Sequence, residues 1–516
     1  MTAPTMTGTR TALNDPHTVG QWVTDRARRH PHKAAIIFDG REVTYGELDD
    51  ASNRLACRLL GEGLVPGDRV GSLSQNQPEQ VALLFACAKT GLIFFPMNWR
   101  LTNVELAGQL GLIAPSRWFV SRAQRSRVDD VLTSVVGPPL DLEASYEDEQ
   151  TGREFELPDV SADSALAIIA TSGTTGGPKG VLLTHANFFW TNLSLDLVVP
   201  ITQDDVVLQV LPQFHIGGWN VQPMLAWWKG ATVVLESTFE PERVLALIAE
   251  HHVTTMAGVP TNYQMIGQHP DFDLADLSSL RSAVVGGAAM PYTLVEQWHA
   301  RGVALFQGYG LTEAAPNVFC LDDADALSHP CSVGRPYPYV DVALAEIETS
   351  ELLEGSVQGE LLVRGPSLFA SYWSDLAATA AAMDDGWLRT GDVAARDADG
   401  YYRIVGRVKE MFVTGGENVY PVEIENVIAS FDAVLSAAVV SVPDPTWGES
   451  GVAFVECAHG ENVDLVALTE HCRARLAHFK VPVRFEVVAE LPRNTVGKID
   501  KVALRTRAFS RVGAKP

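Results

Sequence analysis

Residues 171–180 read TSGTTGGPKG and come directly after the apolar run at 165–170. Four hydroxyl side chains, four glycines and Lys179 fall within these ten residues. Glycines let backbone N–H groups approach an anion closely, hydroxyls donate further hydrogen bonds, and the lysine adds positive charge. The segment is not a Walker A loop, which needs Gly where Pro178 stands and Ser or Thr where Gly180 stands. It predicts a polyphosphate-binding loop that follows a buried strand.

Further strings follow this loop along the chain. They are GYGLTE at 308–313, WLRTGD at 387–392, GRVKE at 406–410, GGENVYPVEIE at 415–425 and PRNTVGK at 492–498. Together with TSGTTGGPKG, they resemble the signatures of the adenylate-forming superfamily. That superfamily contains acyl-CoA synthetases, the adenylation domains of peptide synthetases and firefly-type luciferases. The resemblance spans roughly residues 20–505. Within the superfamily, the chain resembles acyl-CoA synthetases such as fatty-acid–CoA ligases and coumarate–CoA ligases.

The resemblance implies an ATP-dependent acid–CoA ligase. In this family the carboxylate attacks the α-phosphorus of ATP to give an acyl-adenylate and pyrophosphate, and the coenzyme A thiol then releases AMP. The implied cofactors are ATP, Mg²⁺ and coenzyme A. Two alternatives stay open: a stand-alone adenylating enzyme that loads a carrier protein supplied in trans, and a non-catalytic nucleotide-binding protein.

The composition is typical of a soluble globular protein, with 516 residues, 46% of them apolar and 20% charged. The net charge of −24 disfavours general binding to nucleic acid or to an anionic membrane, since both need a basic face. The sequence contains no run of 18 apolar residues, so we expect no transmembrane segment. The N-terminal residues lack the pattern of a signal peptide. Six scattered cysteines without a CxxC pair predict free thiols and a cytoplasmic protein. Whether the protein is a homodimer stays open.

Alternating strand and helix signals predict an α/β fold. The expected architecture is a large N-terminal domain of stacked α/β sheets with a small β-barrel-like part, and a small, mobile α+β C-terminal domain. The predicted boundaries are 1–405 for the ATP- and acyl-binding domain, 406–410 for the hinge and 411–516 for the C-terminal cap. A capping box at Thr44 and Glu47 predicts a helix start. Predicted strands include those at 69–73, 165–170, 206–211, 232–235, 437–442, 452–456 and 484–488, and predicted helices those at 78–89, 241–250, 422–430 and 465–477.

The resemblance places ATP-binding residues on several of the strings. They are Thr171, Ser172, Gly173, Thr174, Thr175, Lys179, Gly287, Ala288, Gly308, Tyr309, Gly310, Thr312, Asp392 and Arg407. Tyr309 would stack on adenine, Thr312 would lie near the α-phosphate, Asp392 would accept hydrogen bonds from the ribose hydroxyls, and Arg407 would contact ribose or phosphate. Glu313 would bind magnesium, which needs one or two carboxylates when it also bridges phosphate oxygens.

The resemblance also assigns residues to catalysis and to coenzyme A. Lys498 would bridge the substrate carboxylate and the α-phosphate, with Asn418 near it in the adenylating state. Lys409 falls on the hinge about which the family's small domain rotates between its two half-reactions. The family motif there ends in Lys-Asp, whereas this chain has Lys409 followed by Glu410. Gly415 and Gly416 would face the pantetheine tunnel.

The acyl pocket is expected around the string LPQFHIGGWN at 211–220. His215 would gate the acyl site and guide the thiol. Amino-acid-activating domains carry an aspartate at this place, whereas this chain has His215 after Phe214, which disfavours an α-amino acid substrate. The wall candidates are Gly217, Gly218, Trp219, Val221, Gly286 and Gly308, with Trp227 and Trp228 as further candidates. For Trp219, Val221, Trp227 and Trp228 the alternative is a role in core packing. A roomy, mostly apolar pocket suits a fatty acid and also an aryl or bulky cyclic acid.

Overall fold

The computed structural model describes residues 18–148, 157–172, 178–288, 290–329, 332–457, 463–493 and 499–512. The predicted site residues Gly173, Thr174, Thr175 and Lys498 lie outside the described residues, as does the side chain of Ser172. The chain divides into two compact units. Unit 1 contains residues 1–341 and 364–388, and unit 2 contains residues 342–363 and 389–516. The boundary at 406–410 stays a prediction.

The helices begin where sequence signals predict. Thr44 and Glu47 form the predicted capping box, and Pro78 occupies the first turn of its helix. The helices are α1 Gly20–Arg29, α2 Tyr45–Gly61, α3 Pro78–Thr90, α4 Asn103–Ile113, α5 Asp130–Val136, α6 Leu142–Glu147, α7 His185–Asp196, α8 Gly217–Asn220, α9 Pro223–Lys229, α10 Pro241–His251, α11 Pro260–Gly267, α12 Tyr292–Ala300, α13 Asp323–Ala326, α14 Leu376–Ala382, α15 Pro421–Ala429, α16 Leu465–Arg475 and α17 Lys501–Val512.

The strands include several that coincide with apolar runs of the sequence, such as those at 34–38, 93–97 and 165–172. They are β1 Ala34–Phe38, β2 Arg41–Thr44, β3 Arg69–Leu73, β4 Ile93–Met97, β5 Arg117–Val120, β6 Leu140–Asp141, β7 Ala165–Ser172, β8 Pro178–Thr184, β9 Val206–Gln209, β10 Thr232–Leu235, β11 Thr255–Gly258, β12 Ser282–Val285, β13 Ala304–Gly310, β14 Asn317–Leu321, β15 Arg335–Pro336, β16 Asp341–Ala345, β17 Leu352–Leu353, β18 Val357–Arg364, β19 Ser371–Tyr372, β20 Met383–Asp384, β21 Trp387–Arg396, β22 Tyr402–Arg407, β23 Phe412–Thr414, β24 Glu417–Val419, β25 Val434–Asp444, β26 Gly448–Cys457 and β27 Arg484–Val488.

Unit 1 is built on large sheets that helices cover. One sheet has the order β15-β14-β13-β12-β11-β9-β10-β1-β2, in which the strands from β13 to β1 run parallel. The other has the order β19-β8-β7-β4-β3-β5-β6. Helix α3, which connects β3 to β4, is buried along its whole length, and its Phe85 packs edge-on against Trp227 of α9 at 5.9 Å. The mixed α/β architecture confirms the predicted fold class.

Unit 2 contains a curled antiparallel part and an α+β part. Strands β17, β16, β18 and β21 are neighbours, and β22 pairs with β21. Farther along the chain, β25 and β26 form a long antiparallel pair, while β26, α16 and β27 form a parallel βαβ unit. Alternate residues of β25 point to opposite faces, so Val439 packs against α15 and α16 while Val440 packs against α17.

No helix among the described residues is long and apolar enough to span a membrane. The cysteines in the described part of the chain, Cys57, Cys87, Cys320, Cys457 and Cys472, form no disulfide bond.

Candidate active site

Several predicted site segments meet at one edge of the parallel sheet in unit 1. His215 follows β9, Gly286 and Gly287 follow β12, and Gly308 lies near the end of β13. Because β9, β11, β12 and β13 are parallel neighbours, the segments at their carboxyl ends share this edge, where α/β sheets bind ligands. A Cβ on Gly286 would lie 3.7 Å from the Gly308 carbonyl oxygen, so the adenine and acyl candidates are adjacent.

The GYGLTE segment is shaped by glycines and a tight turn. A Cβ on Gly310 would lie 1.8 Å from the carbonyl oxygen of Pro316, so this position requires glycine. The Tyr309 ring lies 5.9 Å from the Phe319 ring on the adjacent strand β14. The segment then enters a 3₁₀ turn at Thr312–Ala314, which contains Glu313. The candidate base-stacking and metal-binding residues therefore lie on one continuous segment.

The phosphate-loop string joins two antiparallel strands. Thr171 at the end of β7 lies opposite Lys179 at the start of β8, and the Thr171 hydroxyl donates to the Lys179 carbonyl oxygen at 3.4 Å. The loop therefore leads into a strand, whereas a Walker A loop leads into a helix. The cation of this string, Lys179, is half-buried.

Tyr372 connects two of the predicted ATP-site residues, and sequence reasoning did not identify it. Its hydroxyl donates to Glu313 Oε1 at 2.8 Å, and the Lys179 ammonium lies 4.4 Å from the centre of its ring. Burial and the neighbouring Glu313 carboxylate raise the pKa of the Tyr372 hydroxyl, so the group stays protonated and donates. No pattern in the string FASYW at 369–373 signals this role, because the contact joins distant parts of the chain.

The acyl-site candidates differ in how much room surrounds them. Half-buried His215 has its ring centre 4.5 Å from that of the buried Phe214. A Cβ on Gly217 would meet Val221 Cγ2 at 3.6 Å, an ordinary contact, whereas a Cβ on Gly218 would lie 2.3 Å from the Pro212 carbonyl oxygen. A small side chain would therefore fit at Gly217, whereas Gly218 is required by backbone packing.

The tryptophans proposed for the pocket wall lie in different surroundings. Trp219 is fully buried, packs edge-on against Phe94 at 5.6 Å and donates its indole N–H to the Gln213 carbonyl oxygen at 2.5 Å. Trp227 is also fully buried and donates to the Ala35 carbonyl oxygen at 3.1 Å. Trp228 stacks on Trp22 of α1 at 4.8 Å. Each of these indoles has a core-packing role in this structure.

The predicted ribose site lies in unit 2 on neighbouring strands. Asp392 of β21 pairs in register with Arg407 of β22, and Arg407 Nε lies 2.9 Å from Asp392 Oδ1. The Asp392 side chain is buried, while the Arg407 side chain is 47% exposed. The Asp392 backbone N–H donates to the Thr390 hydroxyl at 3.0 Å. The carboxylate is thus held by a cation that itself reaches solvent.

Gly415 and Gly416 form the turn of the hairpin between β23 and β24. Their φ angles are 61° and 89°, the left-handed values that a two-residue type I′ turn requires. A Cβ on Gly415 would lie 2.8 Å from Trp447 Cε3, so close packing also requires glycine there. Asn418 lies on β24 and is exposed. The predicted tunnel glycines therefore adjoin an indole that sequence reasoning did not identify.

A cavity of about 430 Å³ lies beside this hairpin, within unit 2. Its lining includes Trp447, Phe479, Arg473 and His478. Arg473 and His478 are exposed at the mouth, and Phe479 is half-buried. The cavity thus combines aromatic faces with cationic or protonatable groups, the surroundings that suit a nucleotide.

The predicted hinge is tied to the segment that follows Lys498. Lys409 and Glu410 lie in a 3₁₀ turn between β22 and β23. The Lys501 ammonium lies 2.7 Å from Glu410 Oε2 and 3.0 Å from Glu425 Oε1. Burial opposes the charge of Lys501, but the carboxylates of Glu425 and Glu410 outweigh it and raise the Lys501 pKa.

Family models match most of the chain. A model described as AMP-binding enzyme matches residues 23–373, and one described as AMP-binding enzyme C-terminal domain matches residues 423–498. Feruloyl-CoA synthase of an Amycolatopsis species is 40% identical over 489 residues, which cover 95% of this chain and 99% of that protein. Indoleacetate–CoA ligase of Aromatoleum aromaticum is 37% identical over 497 residues, which cover 94% of this chain and 97% of that protein.

A solved structure shares the fold. O-succinylbenzoate coenzyme A synthetase from Bacillus subtilis, in complex with ATP and magnesium ion, matches with a TM-score of 0.85 and 30% identity. The match covers 94% of this chain and 98% of that chain.

Replacing Gly217 should narrow the range of carboxylic acids that the site accepts. Gly217→Tyr should lower kcat/KM for the bulkiest acids by about tenfold or more, because the phenol ring fills the space that glycine leaves. Small acids should be little affected. The measurement is pyrophosphate release over acids of increasing width.

The neighbouring glycine provides the control for this prediction. Gly218→Ala should lower thermal stability and lower activity toward all acids alike, because its Cβ would meet the Pro212 carbonyl oxygen at 2.3 Å. An equal loss for small and bulky acids in Gly217→Tyr would contradict the pocket assignment.

Proposed function

The chain belongs to the AMP-binding enzyme family and is an ATP-dependent acid–CoA ligase that acts through an acyl-adenylate, and on that premise we propose that its acid is an aryl or bulky cyclic carboxylic acid. The observation that carries the proposal is the convergence, at one sheet edge of unit 1, of the His215 segment with the Gly286 and Gly308 segments. This convergence supports an acyl site beside an adenine site. The likeness to feruloyl-CoA synthase and indoleacetate–CoA ligase supports an acid with a flat ring.

The acyl side of the proposal rests on apolar and aromatic groups. Phe214 and His215 present adjacent rings, and Trp99 packs edge-on against Phe214 at 6.2 Å. Gly217 on the same segment has no side chain, and a Cβ there would make only ordinary contacts, 3.6 Å to Val221 Cγ2 and 3.9 Å to Leu211 Cδ1. Aromatic rings bind flat apolar groups by offset or edge-on contact, which supports an aryl substrate. Flexible fatty acids are the substrates with which aryl acids are to be compared.

Adenylation brings two negatively charged groups together, and we propose that a few cations neutralise this charge. The carboxylate and the phosphates are both anionic, so their approach needs positive charge aimed at the reacting centre. In this proposal Lys179 binds the polyphosphate, and Lys498 bridges the substrate carboxylate and the α-phosphate. Asp392 binds the ribose hydroxyls, with Arg407 beside it at 2.9 Å to orient the carboxylate.

Glu313 is the proposed protein ligand for Mg²⁺. Its Oε1 accepts a hydrogen bond from Tyr372, an arrangement that orients the carboxylate. The described residues contain no cluster of three or more His, Cys, Asp or Glu that would form a protein cage. A single oriented carboxylate fits an ion that takes its other ligands from phosphate and water. When bound, the ion would neutralise phosphate charge.

The two half-reactions are proposed to alternate by rotation at Lys409. Within unit 2, Lys501 joins Glu410 to Glu425 of α15, with nitrogen–oxygen distances of 2.7 and 3.0 Å. Arg493 and Ile499 pair in an antiparallel bridge. These contacts support the proposal that the C-terminal cap moves as one rigid body together with Lys498. The proposed hinge for this rotation is Lys409, the residue before Glu410.

Coenzyme A is the proposed acceptor, and the cavity beside Gly415 is the proposed site of its nucleotide end. An adenine ring and phosphates call for aromatic faces and cations, which Trp447 and Arg473 supply. The free cysteines of the described residues support the proposed cytoplasmic location, where thiols stay reduced.

The test of the function is a pyrophosphate-release screen over carboxylic acids, followed by thioester assays. We expect aryl and bicyclic acids to release pyrophosphate faster than fatty acids, α-amino acids to be inactive, and free coenzyme A to accept the acyl group. Transfer to a holo-carrier protein alone would favour the carrier-loading alternative. No release with any acid would favour a non-catalytic protein.

Lys498→Ala should separate the half-reactions. We expect pyrophosphate release to be abolished, because the charge that joins carboxylate and α-phosphate is lost, while thioester formation from supplied acyl-adenylate persists. The control is Arg505→Ala, which removes an exposed cation of α17 and should preserve both steps. Equal loss of both steps in Lys498→Ala would overturn the role.

Arg473→Ala should raise the KM for coenzyme A by about tenfold, because a charge-assisted contact with phosphate is lost. Pyrophosphate release should not change, since this half-reaction precedes thiol entry. Arg475→Ala is the matched control, because Arg475 lies on the same helix but donates to the His471 carbonyl oxygen. An unchanged KM for coenzyme A in Arg473→Ala would argue against the cavity as its site.

A further inference from the structure

We propose that Tyr372 is a positioning residue of the ATP site: its hydroxyl orients the Glu313 carboxylate, and its ring holds the Lys179 ammonium. The two charges thereby contact one aromatic side chain and are kept from neutralising each other. This inference rests on the proposed function, in which Lys179 binds polyphosphate and Glu313 binds Mg²⁺.

Backbone hydrogen bonds fix Tyr372 relative to both partners. Strand β19 pairs with β8, so Tyr372 lies opposite Val181. The Trp373 N–H donates to the Gly180 carbonyl oxygen at 2.7 Å, and the Phe369 N–H donates to the Glu313 carbonyl oxygen at 2.8 Å. The short segment at 369–373 is therefore bonded to the lysine-bearing strand and to the glutamate-bearing turn.

Strand geometry explains why the lysine reaches the ring. Lys179 lies two residues from Val181 along β8, so both side chains point to the same face of the sheet. Tyr372, opposite Val181, is a diagonal neighbour of Lys179, a spacing that aromatic and long side chains can bridge. The observed 4.4 Å from the ammonium to the ring centre is a cation–π contact.

The chemistry of each contact suits a site that waits for an anionic ligand. A neutral ring attracts an ammonium without cancelling its charge, so Lys179 keeps its charge for phosphate. A direct Lys179–Glu313 ion pair would instead commit both charges to each other. The Tyr372 hydroxyl occupies Oε1 of Glu313 at 2.8 Å, which leaves the other carboxylate oxygen for a ligand.

A purely structural role is the competing explanation. Tyr372 is 8% exposed, and its ring lies 4.9 Å from that of Phe369. Loss of packing would lower stability and weaken all nucleotide binding together. If Tyr372 positions Glu313, loss of the hydroxyl alone should change how nucleotide binding depends on Mg²⁺. Nucleotide binding without metal should stay intact.

The experiment compares full-length variants by calorimetric titration with a non-reactive ATP analogue, at varied Mg²⁺ and with the metal chelated. Tyr372→Phe keeps the ring and removes the hydroxyl. We expect it to raise the half-saturating Mg²⁺ concentration by about tenfold, as loss of a partner of a metal-binding carboxylate does, with metal-free affinity unchanged. Tyr372→Leu removes both the ring and the hydroxyl, and it should weaken nucleotide binding both with Mg²⁺ and without metal.

Two further variants make the test independent of folding defects at Tyr372. Glu313→Asp retracts the carboxylate from an intact tyrosine and should reproduce the metal effect, and the double variant with Tyr372→Phe should show less than the sum of the two effects. Tyr45→Phe is the matched control, because its buried hydroxyl donates to the Ala231 carbonyl oxygen at 2.6 Å, away from these residues. It should change neither titration.

The outcomes separate this inference from the proposed function. A Mg²⁺ dependence in Tyr372→Phe equal to that of the parent, with a shift in Glu313→Asp, would overturn the positioning role and keep the ATP site. Unchanged nucleotide binding in Lys179→Ala and Glu313→Asp would overturn the site itself. Parallel losses with and without metal in Tyr372→Phe would assign Tyr372 to structure alone.

Discussion

The pairing of strand β8 with a strand on each side is the constraint on which the position of Lys179 in unit 1 depends. β7 pairs with one edge of β8 and β19 with the other. A Cβ on Gly180 would lie 2.8 Å from Ile168 Cγ2 and 2.9 Å from Ile113 Cδ1, so the residue after Lys179 must be small for the strand to lie flat. The pairing register of β8 with β7 then determines the position of Lys179. The register of β19 with β8 determines that Lys179 contacts the ring of Tyr372.

This arrangement explains how a protein with a net charge of −24 can handle anionic substrates. Exposed charges are screened over about 8 Å at physiological salt, so a few cations near the phosphates matter more than the total. Lys179 rests on a neutral ring, Arg407 faces Asp392 at 2.9 Å, and Arg473 borders a cavity. Each unit therefore has a cation at a proposed binding site.

Local signals predicted much of the fold. The capping box at Thr44 and the strands at 69–73, 232–235 and 484–488 have the predicted bounds, because short-range hydrogen bonding and apolar periodicity determine them. Other boundaries shifted by a few residues, as in β25, where pairing with β26 extends the strand to Val434–Asp444. Partner strands lengthen a strand beyond its apolar run.

The order of the motif strings was enough to identify the family, the α/β class and the candidate residues, because those properties are encoded in residue type and spacing. Tertiary structure decided which of these residues meet. Tyr372 is distant in sequence from both Lys179 and Glu313, and Trp447 is distant from Gly415. Such contacts depend on strand pairing and on the close approach of backbones, which are long-range properties that no local pattern carries.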